Sequence, residues 1–331
     1  MTKRPGGRHT GMQTTKEEVV AAAQAGDEAA FSALVERHRR ELQVHCYRML
    51  GSFEDSEDQV QETFLRAWRR RETYQGRSTF RAWLYRIATN ACLDALEARP
   101  RQTPKDPADI PWLQPYPDAL LPAAEEPDAV AVARETIELA FLAAIQLLPP
   151  RQRAALILRD ILGWPARDVA ALLELSVPAA NSALQRARES LRRHLPERRD
   201  DWGAQGSEEE LALMRRYVEA SERGDAAGLA AMLSEDARFS MPPEPGLFVG
   251  RDAIFTVWEE GGFGTEEFGD IRCLVTAANH QPAVANYARK PGDDAHRAFA
   301  LDVLRLEGGH VTDVIAFGPS IFPAFGLPMV L

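Results

Sequence analysis

Between residues 55 and 72 the apolar positions recur at helical spacing. Val60, Phe64, Ala67 and Trp68 fall at i, i+4, i+7 and i+8, while Asp58, Gln61, Glu62, Leu65 and Arg69 fall on other faces. That stripe predicts an amphipathic helix with one buried side. The same period predicts a long helix over 79–98, with Phe80, Leu84, Ile87, Ala91 and Ala95 as its core stripe. Residues 16–49 also read as helical, broken at Gly26-Asp27, and Ser52 or Asp55 can cap the helix that follows. Tyr74 to Ser78 reads as a loop, and residues 1–15 as a disordered tail.

The pattern breaks at 100–130, which holds eight prolines. Proline lacks a backbone donor and restricts its predecessor, so an extended linker is expected there. Helices resume over 131–147 and stop at Leu148-Pro149-Pro150. Residues 151–195 read as three helices. Gly163-Trp164-Pro165 opens a short helix that runs to about Leu173; Ser176 caps the next, with Pro178 in its first turn, and it runs to about His194. Two helices joined by a short turn, with Val169, Ala170, Leu173 and Leu184 inward, predict a helix-turn-helix.

A charged second linker, 196–206, separates this half from a different pattern over 207–331. Two helices, 208–222 and 226–233, precede alternating runs at Ala237–Met241, Arg272–Ala277, Ala283–Arg289, Ala298–Leu306 and Val311–Phe317. Alternation such as Leu301-Asp302-Val303 predicts strands, and Gly308-Gly309 a hairpin turn. The expected architecture is therefore multidomain: two all-α units, then an α+β domain with a curved antiparallel sheet.

Charge sharpens that division. The whole chain of 331 residues has a net charge of −10. Residues 1–200 hold 29 basic and 28 acidic residues, whereas 201–331 hold 10 and 21. Within the first part, 66–101 holds nine arginines against three acids, and 151–199 holds ten against five. Basic islands confined to helices point to phosphate contact. Three scattered cysteines without CxxC spacing argue against a disulfide framework or a zinc site, and a reducing cytoplasm is the simplest setting. No run approaches the ~20 apolar residues of a membrane helix, and no secretory signal is apparent. No metal or cofactor is expected.

The stretch Asp55 to Trp68 closely resembles region 2.2 of extracytoplasmic-function (ECF) sigma factors of the sigma-70 family. Thr79 to Asn90 resembles their regions 2.3–2.4, and Leu148-Pro149-Pro150-Arg151-Gln152-Arg153 with Gln185-Arg186-Ala187-Arg188 resembles region 4. Residues 207–331 resemble SnoaL-like domains of cone fold, and the ending Phe322 to Pro328 is similar to that of a mycobacterial type of such factors. The resemblance implies a sigma region 2 at 16–99, a region 4 at 131–195 and a regulatory C-terminal domain. It implies core RNA polymerase, through its β′ and β subunits, and promoter DNA as partners.

By that resemblance Asp58, Gln61 and Glu62 contact the polymerase β′ coiled coil, and the 74–78 loop accepts a base flipped from the −10 element. Tyr74 supplies a stacking face, Gly76 and Ser78 a close backbone approach, Asn90 an edge-reading group, and Arg77, Arg81 and Arg86 phosphate clamps. Ala179, Asn181, Ser182, Gln185, Arg186 and Arg188 form the face that reads the −35 element. Relatives often carry arginine near 181 and 183; Asn181 and Ala183 here make a borrowed −35 consensus unsafe. The linker suits two DNA elements about 20 base pairs, roughly 70 Å, apart.

In the C-terminal domain Asp313, His280 and His296 are candidate acid/base groups, and Trp258, Phe239, Met241 and Phe317 candidate walls of a pocket for a small molecule. No acid/base pair at diagnostic spacing is visible, so regulation rather than catalysis is expected, and the acidic domain could engage the arginine islands electrostatically. Two alternatives remain open: a free-standing DNA-binding regulator, and a fused isomerase- or cyclase-like domain that senses or turns over a ligand.

Overall fold

A computed structural model describes residues 16–76, 79–99, 110–122, 136–195 and 208–331. The first unit contains α1 (Lys16–Gln24), α2 (Glu28–Glu36), α3 (Arg39–Leu50), α4 (Phe53–Arg69) and α5 (Phe80–Ala98). Asp27, Ser52 and Thr79 each cap a helix, their side-chain oxygens accepting the backbone N–H three residues on. The 16–49 segment breaks twice rather than once, the second time at Arg37-His38. Leu42, Tyr47, Leu50, Val60, Ala67 and Leu84 are buried where α3, α4 and α5 meet.

The second unit contains α6 (Leu139–Gln146), α7 (Pro150–Leu156), α8 (Ala166–Leu172) and α9 (Val177–His194). A π-helical turn over Ile157–Ile161 extends α7. Ser176 caps α9 by accepting the Ala179 N–H, and Val169, Ala170, Leu173 and Leu184 are all buried. This is the expected helix-turn-helix.

The C-terminal unit contains α10 (Glu208–Glu222), α11 (Ala226–Met232), β1 (Leu233–Ser240), β2 (Leu247–Val249), α12 (Arg251–Glu260), β3 (Asp270–Ala278), β4 (Gln281–Arg289), β5 (Arg297–Glu307) and β6 (His310–Phe317). A 3₁₀ segment, Pro319–Phe325, follows. The six strands form one open sheet in the order β2-β1-β6-β5-β4-β3. The expected antiparallel sheet is corrected in one pairing: β1 runs parallel to β6, so the sheet is mixed. The connection from β1 to β6 spans the other four strands, which leaves these two free to lie side by side in the same direction. The element α12 and the short β2 were not read from the sequence.

The sheet is buried on both sides. Val284, Leu304, Val311 and Val314 pack with α10 and α11 residues on one face. Ala283, Ala285, Tyr287, Leu301, Val303 and Phe317 belong to the core that the helical units share. The period of two along each strand thus serves two hydrophobic interiors at once.

Candidate nucleic-acid interface and the domain junction

Three units meet at the turn between β3 and β4. Asn279 and His280 both adopt positive φ, +57° and +58°, as a two-residue hairpin of this hand requires. Asn279 is wholly buried. Its Nδ2 donates to Tyr47 Oη (2.9 Å) on α3 and to the Ile137 carbonyl (2.6 Å), which precedes α6. Its Oδ1 accepts the Tyr116 N–H (2.7 Å), and its own N–H donates to the Tyr116 carbonyl (3.0 Å). Tyr47 Oη completes the set by donating to the Gln114 carbonyl (2.7 Å). One amide side chain therefore ties the C-terminal domain to both helical units and to the segment between them.

That segment departs from the expected spacer. Ile110, Leu113 and Tyr116 are buried, and Pro117 bridges to Ala278. Proline does keep it free of helix, but its apolar residues alternate with the prolines and go inward. Residues 100–109 and 123–130 of the predicted linker lie outside the described residues, as do the 1–15 tail and the 196–206 linker.

Two buried arginines join the helical units directly. Arg153 donates to the carbonyls of Ile145 (2.9 Å), Gln146 (2.7 Å) and Leu148 (3.1 Å), to Gln146 Oε1 (2.5 Å) and to the Met49 carbonyl. These carbonyls end α6 and α3, where the last turn of a helix leaves acceptors without intrahelical donors. The motif residue Arg153 is thus a clamp across two helix C-termini. Burial, with Arg99 adding repulsion, pulls its pKa down to about 9. Arg48 donates to Thr136 Oγ1 (2.8 Å) and the Thr136 carbonyl (3.3 Å), and burial pulls it down to about 10.

The residues of α4 expected to contact polymerase divide. Asp58 and Gln61 are exposed, while Glu62 accepts from Arg66 Nε (2.6 Å), which also reaches Asp94 (2.5 Å). Leu65, 51% exposed, lies beside them. It was placed off the buried stripe by periodicity but not singled out; an exposed leucine one turn from two exposed polar residues is the signal that finds it.

Around the loop expected to meet the −10 element, Tyr74 packs against Phe80 (5.4 Å between centroids) and Trp83 (5.5 Å), and its carbonyl accepts from Gln24 Nε2 (2.5 Å). Gly76 has φ +68° and open space beside its Cα. Arg77 and Ser78 lie outside the described residues. Arg81 is held by Glu41 (2.6 Å) and stacks on Tyr85 (4.7 Å), whereas Arg86 is exposed with no ion pair among the described residues. Asn90 is partly buried on the same helix.

On α9, Asn181, Ser182, Gln185, Arg186 and Arg188 are exposed, and Ala179 is partly so. Arg188 is committed to Asp160, with bonds of 2.8 and 2.7 Å. Arg186 has no such partner among the described residues.

In the C-terminal domain the candidates separate. Trp258, Phe239 and Met241 line a cavity of about 270 Å³. Phe317 does not; it belongs to the core shared with the helical units. His280 sits at the junction, its N–H donating to Asp118 Oδ1 (2.9 Å). Asp313 faces the helical half. It lies 3.8 Å from Arg305 and lines a cleft with Arg193 and His194 of α9; burial raises its pKa against the pull of Arg305 and Arg238. His296 pairs with Asp270 (2.9 Å) outside the cavity. The carboxylate that does border the cavity is Asp302, which sequence reading passed over. Asn286 Nδ2 (2.8 Å) and Tyr217 Oη (3.2 Å) donate to its Oδ2. Desolvation pushes its pKa up to about 6, against both hydrogen bonds.

A five-helix unit, a helix-turn-helix and a third domain built on an open mixed sheet together define a sigma factor of multidomain type. Residues 34–102 match the Sigma-70 region 2 family, 138–191 the Sigma-70 region 4 family and 214–314 the SnoaL-like domain family. The chain belongs to the ECF RNA polymerase sigma factors, which direct promoter-specific transcription initiation. It is 42% identical over 314 residues to ECF RNA polymerase sigma factor SigG of Mycobacterium tuberculosis, covering 90% of this chain and 84% of that one. It is 32% identical over 180 residues to the RNA polymerase sigma-H factor of Pseudomonas aeruginosa, covering 54% of this chain and 93% of that one. Among solved structures, Mycobacterium tuberculosis SigJ shares the fold with a TM-score of 0.58 at 24% identity, over 90% of this chain and 99% of that one. Among the described residues no helix is long and apolar enough to cross a membrane.

Proposed function

We propose that this sigma factor is held closed by its C-terminal domain, and that opening the Asn279 junction is the step that lets it initiate transcription. The observation that carries this is the set of four hydrogen bonds made by one buried residue, three through the Asn279 side chain and one through its backbone N–H, to α3, to the 110–122 segment and to the start of α6. Promoter elements about 20 base pairs apart are roughly 70 Å apart along the duplex. A chain in which Arg153 of region 4 touches the end of α3 in region 2 does not span that distance. The 37 residues 99–135 lie between α5 and the described start of region 4, and at ~3.1 Å each an extended stretch of that length does. The outward faces need no remodelling: Asp58 and Gln61 on α4 and Gln185 and Arg186 on α9 already face solvent.

In the open form Asp58, Gln61, Glu62 and Leu65 dock on the β′ subunit of core polymerase. Tyr74, Gly76, Arg77, Ser78, Arg81, Arg86 and Asn90 engage the −10 element. Asn181, Ser182, Gln185, Arg186 and Arg188, with Ala179 alongside, engage the −35 element. Arg81 and Arg188 contribute only on leaving Glu41 and Asp160. We assign no reaction to the chain.

The test is promoter-dependent transcription with core polymerase, on a template carrying the protein's own upstream region, using the full chain and the Asn279→Ala and Asp58→Ala/Gln61→Ala variants. The expected result is more transcript from Asn279→Ala and less from the double variant. Less transcript from an Asn279→Ala protein that keeps its helical signal would refute the closed-state reading.

A further inference from the structure

The 270 Å³ cavity of the C-terminal domain has an unusual composition for its size. Six of its walls are aromatic, and five of them form a continuous arc. Phe239 meets Trp258 (5.9 Å), Trp258 meets Phe263 (6.4 Å), Phe263 meets Phe268 (5.5 Å) and Phe268 meets Phe299 (5.2 Å). Phe263 is set by a backbone pinch. A Cβ on Gly264, at φ +82°, would lie 2.2 Å from the Gly224 carbonyl oxygen, so only glycine lets this loop close over the cavity. Phe299, 47% exposed, stands at the mouth.

Among the described residues the cavity is lined by a single carboxylate, Asp302. Asp302 is partly exposed and borders the cavity. Both of its donors, Tyr217 and Asn286, aim at Oδ2, and Oδ1 accepts no hydrogen bond among the described residues. Both donors favour the ionised carboxylate. Among the described residues no lysine, arginine or histidine lines the cavity to neutralise it. A carboxylate in an apolar pocket without a counter-charge is costly.

We infer that this cavity is a binding site for a hydrophobic organic cation, an amine or quaternary ammonium whose charge lies between Asp302 Oδ1 and the aromatic arc. Ring faces attract such cations, most strongly where water is excluded. A neutral hydroxyl compound would leave the carboxylate uncompensated, and an anion would face it directly. The size sets the ligand's bulk: a dry cavity of ~150 Å³ takes benzene, so this one takes a molecule about twice that large. The site has a route to the rest of the chain. Asn286 and Asp302 point into the cavity from β4 and β5, while Ala285, Tyr287, Leu301 and Val303 beside them pack on the core shared with the sigma units.

The experiment is isothermal titration of the full chain with benzyltrimethylammonium and with its neutral isostere neopentylbenzene, repeated on Asp302→Asn and Phe299→Ala. The inference does not rest on the closed-state reading, because binding is measured without polymerase or DNA. The expected result is saturable binding of the cation at least tenfold tighter than the hydrocarbon. Asp302→Asn removes that preference, and Phe299→Ala weakens the cation several-fold. Equal affinity for both probes, no saturable binding of either, or a cation preference that survives in Asp302→Asn overturns it. If Asp302→Asn fails to fold, the two probes on the native chain and Phe299→Ala decide the question alone.

Discussion

In the sigma half, the side chains free to meet another molecule stand outside: Asp58, Gln61 and Leu65 on α4, Arg86 on α5, Gln185 and Arg186 on α9. Its two buried arginines, Arg48 and Arg153, are bonded to carbonyls and to Thr136. In the C-terminal domain the arrangement is reversed. Its outer charge is paired or solvated, and the group with unspent capacity, Asp302, is inside. The difference follows from what each half must meet. Polymerase and duplex DNA are too large to enclose, so their contacts must be displayed. A carboxylate gains selectivity only where water does not compete for it. Substitutions should therefore separate cleanly: interior changes in the sigma half act on stability, exterior ones on binding, and Asp302 on both.

The largest effect is expected from Arg153→Met. It strands several buried carbonyls at the ends of α3 and α6, and about 3–5 kcal/mol of unfolding free energy should be lost, at ~1–3 kcal/mol for each acceptor left unpaired. Urea unfolding measures it. A loss below about 1 kcal/mol would mean that water replaces the guanidinium, and that the junction is not the closed interior described above.

The second effect tests the inward side. The folded pKa of Asp302, about 6, lies above the ordinary carboxylate value. The folded protein therefore holds a proton that the unfolded chain has released between about pH 4 and 6, and stability falls as pH rises through that window. The total is on the order of 2–3 kcal/mol, fully lost above pH 6. Asp302→Asn should remove this slope and unfold at higher urea at pH 7 than the native chain. Because other groups titrate too, the difference between the two proteins at each pH is the quantity to plot. A variant less stable than the native chain at pH 7 would show that the ionised carboxylate is already compensated.

The same contrast explains what the sequence revealed. Helical period separates buried from displayed positions, so the outward residues of α4 and α9 could be named, and motif order placed them on a sigma factor. Strand period separates two faces but does not say which face meets what. Leu301-Asp302-Val303 reads as a polar residue turned to solvent between two core residues. Here both faces of β5 are buried, so Asp302 goes to a cavity instead. On β6 the cavity takes Val314 and Ala316, leaving Asp313 and Phe317 on the opposite face. Asp313 therefore borders the cleft on the side of the helical half and not this cavity. The junction at Asn279 was illegible for another reason: its partners are 142 to 232 residues away in sequence.

Substituting Asp58, Gln61 and Leu65 together by alanine should leave the unfolding midpoint within about 0.5 kcal/mol of the native chain, as exposed positions usually do. Affinity for core polymerase should fall at least tenfold, about 1.4 kcal/mol. Surface plasmon resonance on immobilised core reads this directly. Unchanged affinity would move the docking face off α4.

The smallest effects distinguish displayed arginines that are free from those that are held. Arg186→Ala should weaken promoter binding by about 1–2 kcal/mol, and if the contact is to phosphate it should lower the salt slope by about one. Arg188 starts from a bidentate pair with Asp160, so its first contribution is spent on leaving that carboxylate. Removing Arg188 also exposes Asp160 to the DNA, so Arg188→Ala mixes two effects. The cleaner substitution is Asp160→Asn, which frees Arg188 without deleting it. If Arg188 reaches DNA, Asp160→Asn raises affinity two- to fivefold and steepens the salt dependence. If it does not, the change in affinity is the same at low and high salt, and the −35 contact narrows to Asn181, Ser182, Gln185 and Arg186, with Arg188 serving only to brace α9 against the end of the α7 extension.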